Sequence, residues 1–326
     1  MPNRCICYTT DAGYLFPTFV SATQARQHTP VDIADIVIFS IGAPAELDRV
    51  FSYACAAEQI RFISIFSGKI ENASAMLARL FLNRILPDDY DQILYIDGDT
   101  QISGMLAPIL QIETPSNQFY AASDPMIFSL PGGRQHGQNI SQYFTSLGLA
   151  SDKQSNYFNS GVLRINRNGW NEIGQAAWSL YQKLHGNTHY PDQDALNIVA
   201  MEQRIPMSLA WNFPVFLRNA GLEHEITPRI IHYMGSPKPW HGEFMPWKLA
   251  EYAIYLETAR KHPTLIPFLT RISWQRRLKY RLQQRYKQAQ ERTTWGNPQR
   301  QRKILRYENY VSNMLALSQP SVQPAM

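Results

Sequence analysis

The chain of 326 residues is 44% apolar and 17% charged, long enough to bury a sizeable core and ordinary for a soluble globular protein. Its three cysteines, Cys5, Cys7 and Cys55, form no disulfide framework and suit a reducing cytosol. With no window of 18 uninterrupted apolar residues and no apolar signal core in the opening MPNRCICYTTDAGYLF, a soluble or peripheral chain is expected. The charge is unevenly placed: residues 260–326 hold 14 Lys and Arg against Glu291 and Glu308, a net +12, while residues 1–259 hold 17 against 24, a net −7. An acidic body with a basic tail suggests an anionic partner for the tail, either a membrane or a nucleic acid.

The first 125 residues alternate strand-like and helix-like segments. RCICYTT (4–10) reads as a strand, and a helix carrying Leu15, Phe19 and Ala22 follows Tyr14. IADIVIFSI (33–41) is a buried strand, AELDRVFSYACAAEQ (45–59) a helix with Leu47, Val50, Phe51 and Ala54 on one face, and RFISIF (61–66) a third strand. Asn72 or Ser74 caps a further helix with Met76, Leu80 and Asn83 as its stripe and Leu77 and Phe81 beside it, and QILYID (92–97) is the fourth strand. This alternation argues a parallel sheet covered on both faces, an α/β domain. Beyond it, GVLRIN (161–166) and RIIHYM (229–234) read as strands, and 169–184 and 192–203 as helices. A Pro-rich loop, GSPKPWHG, follows residue 234. Near Pro263 the composition shifts, dividing a body of residues 1–262 from a basic helical region of 263–326. There Trp274, Leu278, Leu282 and Tyr286 recur every fourth residue, Ile304, Tyr307, Val311 and Met314 form a second stripe, and the terminal SQPSVQPAM reads as disordered.

Four short motifs carry candidate chemistry. In IDGD, Asp97 and Asp99 end an apolar strand, the edge where sheets of this kind bind ligands, and Gly98 permits a tight bend between them. Two hard carboxylates there suit a divalent cation that keeps positions open for substrate phosphates; the plainer reading is a pair of turn residues. In IIHYMGSPKPWH, His232 ends a strand and suits a mixed carboxylate–imidazole set for Mn²⁺, while Lys238 suits a phosphate; a structural histidine is the plainer alternative. PDQDALN (191–197) reads either as a catalytic helix start or as acids favouring the helix dipole, and YFNSGVLRIN (157–166) as a turn before a strand.

Taken together and in order, TTDAGY, RLFLNRILPDDYDQILYIDGDT, AASD, YFNSGVLRIN, DQDALN and IIHYMGSPKPW resemble glycosyltransferase family 8, in particular its bacterial lipopolysaccharide galactosyl- and glucosyltransferases, over about residues 4–241. The resemblance implies a GT-A fold, a Rossmann-like nucleotide-sugar domain on a mostly parallel mixed sheet. It also implies a UDP-sugar donor, UDP-glucose or UDP-galactose, with Mn²⁺ or Mg²⁺ as cofactor and retention of anomeric configuration. Asp97, Asp99 and His232 match the family's metal ligands. Thr9, Asp11, Tyr14, Gly235 and Lys238 match its nucleotide site, Lys238 as the pyrophosphate lysine, while Gly13 stands where the family often has Asn. Arg79, Asp124, Asn159 and Asp192 match groups around the donor sugar, and Gln193 the residue beneath the anomeric carbon, so Gln193 and Asp192 are the catalytic candidates.

The tail has its own reading. Residues 264–310 mix Arg and Lys with interfacial aromatics, which suits an anionic membrane surface, with a helix packed on the body as the plainer alternative. No nucleic-acid module is recognised. The leading expectation is a peripheral enzyme on the inner face of the cytoplasmic membrane, acting on a lipid-linked saccharide such as lipopolysaccharide or lipooligosaccharide core. A transferase with a protein acceptor, toxin-like or self-glycosylating, and a non-catalytic nucleotide-sugar binding protein stand as alternatives.

Overall fold

The structure is a computed structural model that describes residues 3–130, 135–184, 188–247 and 249–318. Of the terminal SQPSVQPAM (318–326), expected to be disordered, Ser318 ends a helix and residues 319–326 lie outside the described residues. A seven-stranded sheet runs in the order β3-β2-β1-β4-β7-β6-β8. Its members are β1 (Arg4–Thr10), β2 (Asp35–Ile41), β3 (Arg61–Ile65), β4 (Gln92–Ile96), β6 (Phe119–Ser123), β7 (Phe158–Asn166) and β8 (Arg204–Met207). All pairings are parallel except those of β7, which lies antiparallel to both β4 and β6. The mixed, mostly parallel sheet is the expected one. The long apolar runs of β2 and β4 follow from burial on both faces.

One face packs against α1 (Leu15–Gln27) and α2 (Ala45–Ala57). The Phe19 ring of α1 packs T-shaped with Phe51 of α2 at 6.2 Å and with His262 at 5.2 Å. The other face packs against residues 75–85 together with α6 (Arg167–Leu184) and α7 (Pro191–Ala200). Two one-turn helices, α3 (Leu82–Ile85) and α4 (Ala107–Leu110), and the longer α5 (Gln135–Ser146) complete the body before α6. The expected helix after Ser74 is instead a 3₁₀ segment, Ala75–Phe81, running into α3. Its tighter winding buries Leu77, Ala78, Arg79, Leu80 and Phe81 in succession and leaves Met76 47% exposed, so Met76 does not join the core stripe.

A second, three-stranded sheet in the order β5-β10-β9 was not legible from the sequence. It joins β5 (Thr100–Ile102), which begins one residue after Asp99, to β10 (Ile230–His232), with β9 (Phe213–Pro214) on its far side. The β5–β10 pair is antiparallel and sets His232 opposite Thr100.

The basic region follows α8 (Leu249–Lys261) as α9 (Trp274–Trp295) and α10 (Pro298–Ser318), with Ser273 Oγ capping α9 through the amide of Arg276. Its two apolar stripes have opposite fates. Ile304 and Val311 of α10 are fully buried, and the Tyr307 hydroxyl donates to the carbonyl of Met207 at 2.6 Å. The Glu308 carboxylate accepts from Ser208 Oγ and the Leu209 amide. On α9 only Tyr280, Gln284 and Trp295 turn inward, while Trp274, Leu278, Leu282 and Tyr286 stand 71%, 50%, 60% and 72% exposed. Among the described residues no helix is long and apolar enough to cross a membrane.

Candidate active site

The carboxyl ends of β1, β4 and β6 and the start of β7 meet at one edge of the large sheet, beside the small one. A cavity of about 500 Å³ opens there, and Thr9, Asp11, Tyr14, Arg79, Asp97 and Asp99 line it. Asn159, Asp192, Gln193, His232 and Gly235 line it as well. Of the residues singled out in the sequence, Asp124 and Lys238 stand behind this wall rather than in it.

Asp97, Asp99 and His232 each offer one ligand atom, all within 4.8 Å of one another. Asp97 leaves β4 with its amide bonded to the carbonyl of Gly161 at 2.8 Å, one step beyond the β4–β7 ladder. Asp99 immediately precedes β5, and the β5–β10 pairing carries His232 to it, with Nε2 3.3 Å from Asp99 Oδ1. Nδ1 of His232 lies 2.8 Å from Asn212 Oδ1, an acceptor, so with Nδ1 donating to it Nε2, on the side of the carboxylates, is the nitrogen that would ligate a metal. The mixed oxygen and nitrogen donor set fits a divalent cation. Two glycines make the approach steric. A Cβ on Gly161 would lie 2.4 Å from His232 Cε1, and one on Gly98 would lie 2.1 Å from Thr18 Oγ1. Gly98 is not in the left-handed region, so close packing on α1 rather than a special bend explains it.

The two carboxylates belong to separate charge networks. Arg79 NH2 reaches Asp97 Oδ1 at 2.7 Å, and its Nε reaches Asp192 Oδ2 at 3.2 Å, with the Tyr95 hydroxyl donating to Asp97 at 2.7 Å. Burial works against the charge on Arg79, but Asp192 and Asp97 outweigh it and hold the guanidinium firmly protonated. Burial pushes the Asp97 carboxyl up despite Arg79, with Asp99 adding to the rise. On the other side Lys238 Nζ donates to Asp99 Oδ2 at 2.5 Å and to the carbonyl of Tyr233 at 2.6 Å. Burial alone would raise Asp99, yet Lys238 and then His232 hold it well below the usual carboxylate range.

Behind the cavity an amide network fixes Gln193, near the start of α7. Its Oε1 accepts from Asn159 Nδ2 at 3.0 Å and from the Ser160 amide at 3.2 Å. Its Nε2 donates to Asp124 Oδ2 at 3.1 Å and to the Tyr157 hydroxyl at 3.2 Å. Tyr157 in turn donates to Asp194 at 2.5 Å, while Asn212 Nδ2 donates to Asn159 Oδ1 at 2.8 Å and so ties this network to His232. Burial raises the Asp124 carboxyl, against donors from Met126, Asn159 and Gln193. Sequence reasoning missed Tyr95, Tyr157, Ser160, Asp194 and Asn212. Tyr95 was within reach, because it shares the strand face of Asp97 two residues on. Nothing in the sequence marks Asn212.

At the outer end of the cavity Asp11 Oδ1 accepts the amides of Gly13 and Tyr14 and fixes the loop after β1. The Tyr14 ring lies perpendicular to Trp240 with centroids 5.4 Å apart, and it is 42% exposed where it lines the cavity. The loop carrying Lys238 is steadied by His241, whose Nδ1 accepts the Lys238 amide at 3.1 Å. Burial, with the charges of Arg276 and Lys238, pushes His241 down to about 4, so it stays neutral at pH 7.

A family model described as glycosyl transferase family 8 matches residues 5–243. The lipopolysaccharide 1,2-glucosyltransferase of Escherichia coli K12 is 24% identical over 283 residues, covering 78% of this chain and 78% of that protein. The lipopolysaccharide glucosyltransferase WaaO of the same organism is 26% identical over 198 residues, covering 58% of this chain and 53% of that protein. Against WaaO and the glycosyltransferase GlyE of Streptococcus pneumoniae, the chain spans about half of the relative's own length, 53% and 42%. Among solved structures, the galactosyltransferase LgtC with donor and acceptor sugar analogues matches with a TM-score of 0.62 at 21% identity. That match covers 84% of this chain and 99% of LgtC. At that identity the likeness establishes the fold alone, a GT-A fold.

Proposed function

The chain belongs to glycosyl transferase family 8, and from that premise we propose that it moves a hexose from a UDP-sugar to a saccharide acceptor with retention of configuration. The observation that carries this reading is the Asp97–Asp99–His232 cluster, which opens onto the same cavity as Tyr14 and Gln193. Asp97, Asp99 and His232 would hold Mn²⁺ or Mg²⁺, which supplies Lewis-acid stabilisation of the leaving diphosphate. UDP-glucose and UDP-galactose are the proposed donors. Thr9, Asp11, Tyr14 and Gly235 are assigned to the nucleotide, Tyr14 through its exposed ring.

Lys238 is assigned to the pyrophosphate, where its ammonium offsets charge developing as the sugar–phosphate bond breaks. Asp192 and, behind the wall, Asp124 place negative charge near the sugar carbon that becomes cationic. Arg79 orients the carboxylates of Asp97 and Asp192. Gln193 faces the anomeric carbon as a positioning and dipolar group. Both lone-pair directions of its Oε1 already accept hydrogen bonds, which argues against attack by that oxygen. We therefore favour attack by the acceptor hydroxyl on the face that UDP leaves, with the departing phosphate taking the proton. A covalent sugar trapped on Gln193 or Asp192 would overturn that step.

The test is donor hydrolysis. With UDP-glucose, UDP-galactose and UDP-N-acetylglucosamine in turn, UDP release is expected from one of the two hexose donors, with Mn²⁺ and not with EDTA. Release that is indifferent to EDTA sinks the metal assignment. Absence of any UDP binding, with or without Mn²⁺, sinks the donor.

The acceptor we propose is a lipid-linked saccharide, lipopolysaccharide or lipooligosaccharide core, met at the inner face of the cytoplasmic membrane. The exposed stripe Trp274, Leu278, Leu282 and Tyr286, on a helix rich in Arg and Lys, supports peripheral docking through residues 264–310. We place the catalytic domain at 1–262 and the docking region at 263–326, whose inward faces complete the body. Because Ile304, Val311 and Tyr307 are built into that body, deleting the region is a poor test. Substituting Trp274, Leu278, Leu282 and Tyr286 together by Ser is expected to release the protein from vesicles containing phosphatidylglycerol while leaving UDP release within about twofold, since surface changes away from the site cost little. Undiminished co-sedimentation would count against docking through α9.

A further inference from the structure

A second cavity, of about 300 Å³, lies between α9 and the segment that follows the Lys238 loop. Its apolar floor is Phe244 and Trp247, both buried, with Gln284 closing it by donating to the carbonyl of Met245 at 2.7 Å. Arg281 and Arg285, one helical turn apart, line its mouth. Neither guanidinium has a hydrogen-bond or ion-pair partner among the described residues. Each precedes a member of the exposed stripe, Leu282 or Tyr286, and so stands about 100° round the helix from it. A surface that takes the stripe therefore brings its polar boundary to this mouth.

We propose that this cavity is a seat for the phosphodiester of an anionic glycerophospholipid headgroup. The inference rests on the membrane reading above and adds a defined site to it. Two guanidiniums presented side by side match the oxygens of one phosphate. The apolar floor takes the carbon skeleton next to it. Glu243, the one carboxylate lining the cavity among the described residues, disfavours a second negative charge, so the singly charged diester fits better than a doubly charged phosphate monoester. The occupant would join α9 to residues 243–247, directly after the loop of Lys238.

The site is separable from diffuse charge attraction by using the headgroup without its chains. Glycerophosphoglycerol is titrated into the full-length protein while the indole N–H signal of Trp247, assigned with Trp247→Phe, is followed by NMR. The expected result is a saturable shift, weakened at least about tenfold in Arg281→Gln/Arg285→Gln, as loss of charged hydrogen bonds implies. It is retained in Arg277→Gln/Lys279→Gln, which removes the same charge from the same helix outside the cavity. Equal weakening in both variants, or no saturable shift in the parent protein, overturns the seat. Tighter binding of a hexose monophosphate than of glycerophosphoglycerol overturns the lipid as its occupant. Co-sedimentation with phosphatidylglycerol vesicles keeps the two readings apart. A protein that sediments but does not titrate refutes the seat and leaves docking standing. One that titrates but ignores vesicles refutes the lipid occupant and docking together.

Discussion

Asp99→Asn is expected to lower UDP release from the preferred donor by about 10²–10³-fold, the scale lost when a preorganised charge-stabilising group is removed. Mn²⁺ binding followed by electron paramagnetic resonance should weaken in parallel. The substitution keeps the shape of the side chain but removes the charge that Lys238 and His232 both face. Asn is the better choice over Ala because it still offers an oxygen to Lys238 Nζ, so the ammonium is not stranded. A variant with normal Mn²⁺ affinity and a normal rate would remove Asp99 from the site. Normal Mn²⁺ affinity with a depressed rate would instead assign it to holding Lys238.

Arg79→Met should be the most damaging single change to stability, about 3–5 kcal/mol, because it leaves buried charges without their partner. The guanidinium is nearly inaccessible and bridges Asp97, just past the end of β4, to Asp192 on α7. Without it two carboxylates at the sheet edge face each other across low-dielectric space. The measurement is the urea midpoint without donor or metal, read against Arg84→Met, whose partner Glu71 lies at the surface. If the two variants unfold at the same urea concentration, the Arg79 bridge is not a structural member and its role lies with the donor alone.

How much of this was legible in the sequence depends on the range of each interaction. Asp97 and Asp99 were readable because β4 is a continuous apolar run whose end is marked by the turn itself. The helix starting at Pro191 and the strand before Gly235 were readable for similar local reasons. Gln193 and Asp192 were assigned from the family resemblance, since nothing local separates a catalytic helix start from a capped one. The pairing of β5 with β10 was out of reach: three residues show no periodicity, and its partner lies in another third of the chain. Asn212 and Tyr157, which orient His232 and Gln193, look like any loop Asn or strand-edge Tyr. The stripe of α9 shows the opposite failure. Its four-residue recurrence is the same signal that Ile304 and Val311 give on α10, yet one faces solvent and the other fills the core. Periodicity reports that a helix has an apolar face and not what covers it.

The small sheet has a consequence for biosynthesis. Asp97 and Asp99 leave the ribosome well before His232, Asn212 and Lys238, and strand β10 must be made before it can find β5. Domains form from the N-terminus as the chain emerges, and long-range pairings close late. A nascent chain halted between Asp99 and β10 therefore carries the paired aspartates without the imidazole or the ammonium, and on the function proposed above it lacks the complete metal and diphosphate site while still attached to its ribosome.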